Sequence, residues 1–212
     1  GKDSMKNDYR IGDTKISIPP TILFTAAAIL DDVRKVVSME VKGPDHVVYV
    51  LGETRDEMGG SEYLALRGQL GANVPQVFPL SSRTLYERLN RAIEAGLVAS
   101  CHDVSDGGLG VALAETAFAG GLGMRVDLDR VPAENGMRDD EIFFSESQSR
   151  FVVTVSPDKA AAFEEAVKGT VFARVGEVTA DGLFTVTGRD GLERVKEELA
   201  GLKKVWQAPL DF

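Results

Sequence analysis

Apolar and polar positions along this chain fall into short blocks that follow two different periods. Val36–Val41, His46–Leu51, Leu97–Cys101, Met124–Leu128, Arg150–Val155, Val171–Val178 and Leu183–Val186 are runs rich in β-branched residues and predict strands. Gly43-Pro44-Asp45 between the first two predicts a hairpin turn, and Asp181-Gly182 predicts another tight turn before the last. Ser81–Ala95 has the helical signature. Leu85, Leu89 and Ile93 repeat on one face, Ser81 or Ser82 offers a cap, and Gly96 a stop. Gly59–Leu70 predicts a helix whose first turn suits Ser61 and Glu62. Val111–Phe118, Asp139–Phe144, Ala160–Val167 and Leu192–Leu202 predict the remaining helices, with Gly120-Gly121 stopping the first of them.

The ends are less patterned. Gly1–Thr14 is polar, lacks periodicity and reads as a loop. Ile16–Leu30 is apolar around Pro19-Pro20, which excludes a helix there and places a strand just after it. Trp206–Phe212 reads as a tail, on the surface or packed on a neighbour. Strands and helices alternate, but tight turns join several strand pairs, which a purely parallel sheet does not allow. The expectation is an α/β fold, α+β-like, with a mixed sheet and helices packed on it.

Composition sharpens this in four ways. The chain has 212 residues, 43% hydrophobic and 27% charged, enough for one good core and an ordinary globular domain. Its net charge of −9 argues against a broad nucleic-acid face, although backbone amides still hold a phosphate without basic residues. Cys101 is the single cysteine, which excludes an intrachain disulfide framework or a cysteine zinc cage and fits a reducing, cytoplasmic setting. No run reaches the ~18 apolar residues of a membrane span, and no basic-then-apolar leader opens the chain. The chain starts at Gly1 rather than Met, and reads as a piece of something longer.

The segment richest in chemistry is Cys101-His102-Asp103-Val104-Ser105-Asp106-Gly107-Gly108-Leu109, between a predicted strand and an Ala-rich helix. α/β folds place ligands at such a position, beyond a strand's carboxyl end and at a helix N-terminus. Gly107 and Gly108 let backbone approach a ligand, Asp103 and Asp106 suit magnesium, and Ser105 suits a phosphate or ribose. The plainer reading is that Asp103 or Ser105 caps the following helix. Cys101 and His102 do not form a nucleophile–base pair, because neighbours on a strand face opposite ways. Cys101 reads as a small buried hydrophobe, and His102 as a loop hydrogen-bonder. In the second glycine–acid loop, Gly52–Tyr63, Arg55 contacts an anion or makes an internal ion pair, and Gly59-Gly60 is helix-start chemistry. Phe144–Arg150 lines a cleft or is an ordinary loop.

With Ala112-Leu113-Ala114-Glu115 behind it, the His102–Leu109 loop resembles the signature of the phosphoribosylformylglycinamidine synthases, in the family shared with aminoimidazole ribonucleotide synthetase. Gly1-Lys2-Asp3-Ser4-Met5, Asp32–Val37, Gly52-Glu53-Thr54, Gly59–Tyr63 and Phe144–Ser147 match in the same order. The resemblance implies that residues 1–14 are the residual tail of a preceding N-terminal-type domain and residues 15–212 a C-terminal-type domain. It implies ATP and Mg2+ as cofactors, and ATP-dependent amidation of formylglycinamide ribonucleotide with glutamine-derived ammonia, in purine biosynthesis. It places Gly1, Lys2 and His102 toward the nucleotide, and Ser4, Ser105, Gly107 and Gly108 toward the substrate. Asp103 falls on a magnesium ligand, while Lys2 stands where the small form of the enzyme has a metal-binding Asn.

No catalytic residue is assigned to this chain. The family's catalytic histidines lie in its first domain and its glutaminase set is elsewhere, so the fragment is expected to be inactive alone. Implied partners are the other domains of the same enzyme or a glutaminase subunit, and a second copy in a homodimer. The alternatives are a non-catalytic nucleotide-binding or assembly module, and a related ATP-dependent enzyme such as aminoimidazole ribonucleotide synthetase. Intact Asp103 and Gly107-Gly108 speak against the first, and Ser105-Asp106 against the second.

Overall fold

The computed structural model describes residues 8–17 and 25–210, which fall into two units divided between Arg34 and Lys35. The strand expected after Pro19-Pro20 falls largely outside the described residues, and residues 25–30 have no regular structure.

In the first unit, β1 (Asp8–Ile11) pairs antiparallel with β2 (Thr14–Ser17), Asp8 opposite Ser17. The sequence predicts a loop over part of this stretch. Tyr9 and Ile11 nevertheless alternate with polar residues, and Gly12, at φ 58°, turns the chain. Asp8 ties the strands together by accepting from Ser17 Oγ at 2.8 Å and pairing with Lys15 at 3.0 Å.

The second unit is built on a seven-stranded sheet. Its strands are β3 (Val47–Leu51), β4 (Ser100–Asp103), β5 (Gly123–Asp127), β6 (Phe151–Val155), β7 (Phe172–Thr179), β8 (Leu183–Thr187) and β9 (Glu193–Glu198). The order is β4-β6-β3-β7-β5-β8-β9, antiparallel throughout except for the parallel β5–β8 pair. This is the mixed sheet that the alternation of strands, helices and tight turns predicts. Central strand β3 is apolar on both faces. Val48 and Val50 enter one core, with Leu109, Leu113 and Ile142, while Tyr49 and Leu51 enter the other, with Leu85, Leu89 and Phe163.

Helices cover both faces. α2 (Pro79–Glu94) and α5 (Ala160–Ala166) pack together on the Tyr49 side. α3 (Gly108–Gly120), α4 (Asp139–Phe144) and α6 (Leu199–Gln207) lie on the Val48 side. α3 is apolar nearly all round because it is sandwiched. A Cβ on Gly110 would lie 2.6 Å from the Phe143 ring of α4.

Several elements differ from the sequence expectation, each for a visible reason. Val36–Val41 is not a strand, so the turn at 43–45 closes no hairpin. That stretch runs as a strap, with Cys101 N donating to Ser38 O and Val41 N to Thr116 O. The helix expected over Gly59–Leu70 shrinks to α1 (Glu62–Ala65), because Gly68 and Gly71 take positive φ and the chain folds back to pair Gly59 with Asn73 and Gly60 with Leu70. α2 starts at Pro79, upstream of Ser81 and Ser82, since proline at the first helical position needs no amide partner. β4 starts at Ser100, later than the apolar run suggests. Asp181-Gly182 does turn the chain, but β5 is inserted between β7 and β8. The first half of the helix expected over Leu192–Leu202 is strand β9, where pairing to β8 overrides the helical preference of a charged run. Trp206, in α6, packs against the Phe118 ring with centroids 5.7 Å apart.

Candidate functional site

The turn from β4 into α3 is short. Val104 is buried and its amide donates to Arg150 O at 3.0 Å, while Gly108 N donates to Ser105 O at 3.0 Å. Anchoring Val104 inward leaves Asp103, Ser105 and Asp106 exposed. These three side chains line a cavity of about 240 Å3, with Tyr86, Glu146 and Ser149 among the other residues around it. The sequence brought Asp103, Ser105 and Asp106 together, and the structure keeps them on one wall.

Gly107 and Gly108 are buried and take left-handed φ of 79° and 70°. A Cβ on Gly108 would lie 2.6 Å from Phe144 C and Ser145 O, so close packing on the end of α4 requires glycine there. The Gly107 amide is directed at Glu146, whose Oε1 accepts it at 2.9 Å and also accepts the Glu62 amide at 2.9 Å. One carboxylate oxygen thus fastens the first turns of α1 and α3 to the segment that precedes β6.

His102 points toward α3. Its Nε2 lies 2.7 Å from Glu115 Oε2 and its Nδ1 3.4 Å from Asp103 Oδ1, while Glu115 Oε1 accepts from the Trp206 indole at 2.7 Å. Both ring nitrogens are therefore engaged within the chain. Cys101 packs on the opposite face, as strand alternation requires, and burial pushes its thiol up to about 12. No nucleophile–base pair forms between them.

Glu146, Gln148, Ser149 and Arg150 line the cavity, one of the two readings that the sequence left open for this segment. Its organiser is Arg150, only 1% exposed. The guanidinium donates to Ser147 O at 3.0 Å, to Thr54 Oγ1 at 2.9 Å and to Ser145 O. Burial lowers its pKa to about 10, opposed by Glu57 and Glu146, and it stays charged at neutral pH. Sequence reasoning flagged Phe144–Arg150 as a run without separating Glu146, Ser149 and Arg150 within it, and it did not single out Tyr86. The available signal was an arginine entering a strand run right after a serine-rich stretch.

Arg55 resolves to an internal ion pair. It lies 2.6 Å from Glu53, and its guanidinium sits 4.1 Å from the centre of the Phe78 ring. Ser61 Oγ accepts from Leu64 N at 3.3 Å, which is the helix-start role expected of it. Gly1, Lys2 and Ser4 lie outside the described residues. Among the described residues no three His, Cys, Asp or Glu side chains converge as a metal cage. Asp103 offers a single exposed carboxylate, which suits a cation held mainly by phosphate oxygens and water rather than by protein alone. No helix among the described residues is long and apolar enough to cross a membrane.

Residues 43–189 match the family model described as AIR synthase related protein, C-terminal domain. Across 203 residues the chain is 34% identical to phosphoribosylformylglycinamidine synthase subunit PurL of Alkaliphilus metalliredigens, covering 92% of this chain and 26% of that protein. It therefore spans about a quarter of the length of that relative. Among solved structures it resembles PurL of Thermotoga maritima complexed with FGAR, at 28% identity and TM-score 0.71 over 80% of this chain and 30% of that one. The same protein complexed with ATP matches at 28% identity and TM-score 0.65, over 79% and 27%.

Proposed function

The chain belongs to the AIR synthase related proteins as their C-terminal domain, and on that footing we propose that it is part of a phosphoribosylformylglycinamidine synthase. The reaction of the whole protein is then amidation of formylglycinamide ribonucleotide. ATP phosphorylates the amide oxygen and releases ADP, ammonia adds to that carbon, and phosphate leaves with the oxygen. The observation that carries the reading is the exposed Asp103–Ser105–Asp106 wall of the polar cavity, in a chain whose relatives include a protein solved with FGAR and with ATP.

This domain binds and positions. Asp103 supplies one carboxylate to Mg2+, which when bound neutralises phosphate charge. Ser105 donates to a ligand oxygen. Gly107 and Gly108 set the loop's path, and His102 braces Asp103 from behind. Gly1, Lys2 and Ser4 complete the nucleotide and substrate contacts from the segment that belongs to a preceding domain. The remaining domains, or a separate glutaminase subunit, supply ammonia, and the setting is the cytoplasm.

Two measurements test the reading. The 212-residue chain alone, given ATP, Mg2+, formylglycinamide ribonucleotide and ammonia, is expected to release no phosphate above a boiled control. In the intact protein, Asp103→Asn is expected to weaken Mg2+-dependent nucleotide or substrate binding, and an unchanged binding isotherm and rate overturn the assignment of Asp103.

A further inference from the structure

α3 carries one charged side chain in thirteen residues, Glu115, and the rest of the helix is apolar or small because it packs between the sheet, α4 and α6. Only 19% of the Glu115 side chain is exposed. A carboxylate kept that far from water needs partners for both oxygens, and it has them. Oε2 lies 2.7 Å from His102 Nε2 on β4, and Oε1 accepts from the Trp206 indole of α6 at 2.7 Å. One side chain of α3 thus joins β4 on one side and the C-terminal helix on the other.

The first of these bonds fixes the His102 ring. A carboxylate only accepts, so the Nε2 proton is committed to Glu115 and Nδ1 is left facing Asp103 Oδ1 at 3.4 Å. That separation exceeds the ~2.7–3.2 Å of an N–H···O hydrogen bond. The ring therefore limits where the Asp103 side chain sits without tying it up. The Asp103 backbone is set independently, opposite Phe151 of β6. A carboxylate between a fixed backbone and a fixed ring has few orientations left, yet its outer side stays open to a ligand.

We propose that Glu115 is a positioning residue for Asp103, acting through the His102 ring and independently of its bond to the C-terminal helix. This rests on the functional reading above, in which Asp103 faces Mg2+, and adds the group that holds that carboxylate ready. The competing role is structural only, with Glu115 pinning α6 beside the Phe118–Trp206 contact. The two roles use different oxygens of one side chain, so substitutions separate them.

The test is calorimetric titration of ADP into the intact protein over a range of Mg2+ concentrations, beside urea unfolding of the 212-residue chain followed by circular dichroism. Glu115→Gln keeps the size of the side chain and replaces one acceptor with a donor. It is expected to raise the Mg2+ concentration needed for half-maximal ADP binding about tenfold. His102→Gln leaves the Trp206 bond in place and is expected to act alike, which keeps the proposal testable if Glu115→Gln does not fold. The double variant is expected to lose no more than either single one. Trp206→Phe removes only the bond to α6. It is expected to lower the urea midpoint and to leave the Mg2+ dependence unchanged. An unchanged Mg2+ requirement in both Glu115→Gln and His102→Gln, with Asp103→Asn impaired, overturns the positioning role and leaves the functional reading standing. A shift in Trp206→Phe as large as that in Glu115→Gln also overturns it, because the seating of α6 then accounts for the effect. Wild-type Mg2+ dependence in Asp103→Asn overturns both.

Discussion

Two turns in this molecule lead from a strand through a glycine-and-acid loop toward a helix, and their polar groups end in opposite places. After β3, Thr54, Glu57 and Ser61 are buried. Thr54 accepts from Arg150 and its amide donates to Pro132 O, Glu57 Oε1 accepts from Gln76 N, and Ser61 caps α1. After β4, Val104 and the two glycines are drawn in, and the polar residues Asp103, Ser105 and Asp106 stay exposed on a cavity wall. Similar composition therefore serves structure in one turn and leaves free donors and acceptors in the other. What separates them is whether a neighbouring segment already supplies partners.

Breaking the structural partner is expected to have the largest effect. Arg150→Met removes a buried charge and leaves Ser145 O, Ser147 O and Thr54 Oγ1 without their donor. A loss of about 3–5 kcal/mol in unfolding free energy is expected. Urea denaturation checks it, and a loss under about 1 kcal/mol would show that the segment from Ser145 to Arg150 does not depend on the Arg150 guanidinium.

Next comes Gly108→Ala. Its Cβ meets Phe144 and Ser145 backbone at 2.6 Å, and its φ of 70° is strained for alanine. About 2–4 kcal/mol of destabilisation is expected by the same measurement. Gly121→Ala, also left-handed but with open space around its Cβ, isolates the conformational part and is expected to cost about 1 kcal/mol.

At the exposed turn the ordering reverses. Asp103→Asn is expected to change stability by less than about 0.5 kcal/mol, since the side chain is 70% exposed, while weakening Mg2+-dependent binding in the intact protein. A stability loss comparable to that of Gly108→Ala would make Asp103 a structural residue and erase the contrast between the turns.

The smallest effect is at Cys101, on the face of β4 that turns away from the site. With its thiol held near 12, reaction with a disulfide reagent at pH 8 is expected to be slow in the folded chain and fast in urea. Because the folded thiol ionises later than the unfolded one, stability is fully present below about pH 9 and declines as pH rises toward 12. Cys101→Ala is expected to remove that part of the alkaline slope.

Strand and helix positions around the core were mostly legible, because β3 and β6 are continuous apolar runs and α2 buries Ser82, Leu85, Leu89 and Ala92 at helical spacing. β9 was not, since Glu193–Glu198 has a helical composition and only pairing to β8 makes it a strand. The Val36–Val41 strap was not, because an extended apolar run reads the same whether it joins a sheet or lies beside one. The placement of Asp103 and Ser105 on the turn between a strand and a helix was legible from a strand–glycine–helix pattern. Glu146 and Arg150 were not, because their roles depend on amides and carbonyls brought in from segments as far away as Thr54 and Gly107. Long-range partners of a main-chain group leave no trace in local spacing.

The indole that donates to Glu115 belongs to the only tryptophan in the chain. Excitation at its absorption edge therefore gives an optical signal from a single place. The emission of Trp206 reports whether the C-terminal helix is seated on α3, and through Glu115 and His102 it lies two side chains from Asp103. Within these 212 residues the fold thus contains its own spectroscopic probe close to the proposed site, and no label has to be introduced to follow the seating of the C-terminal helix in this domain alone.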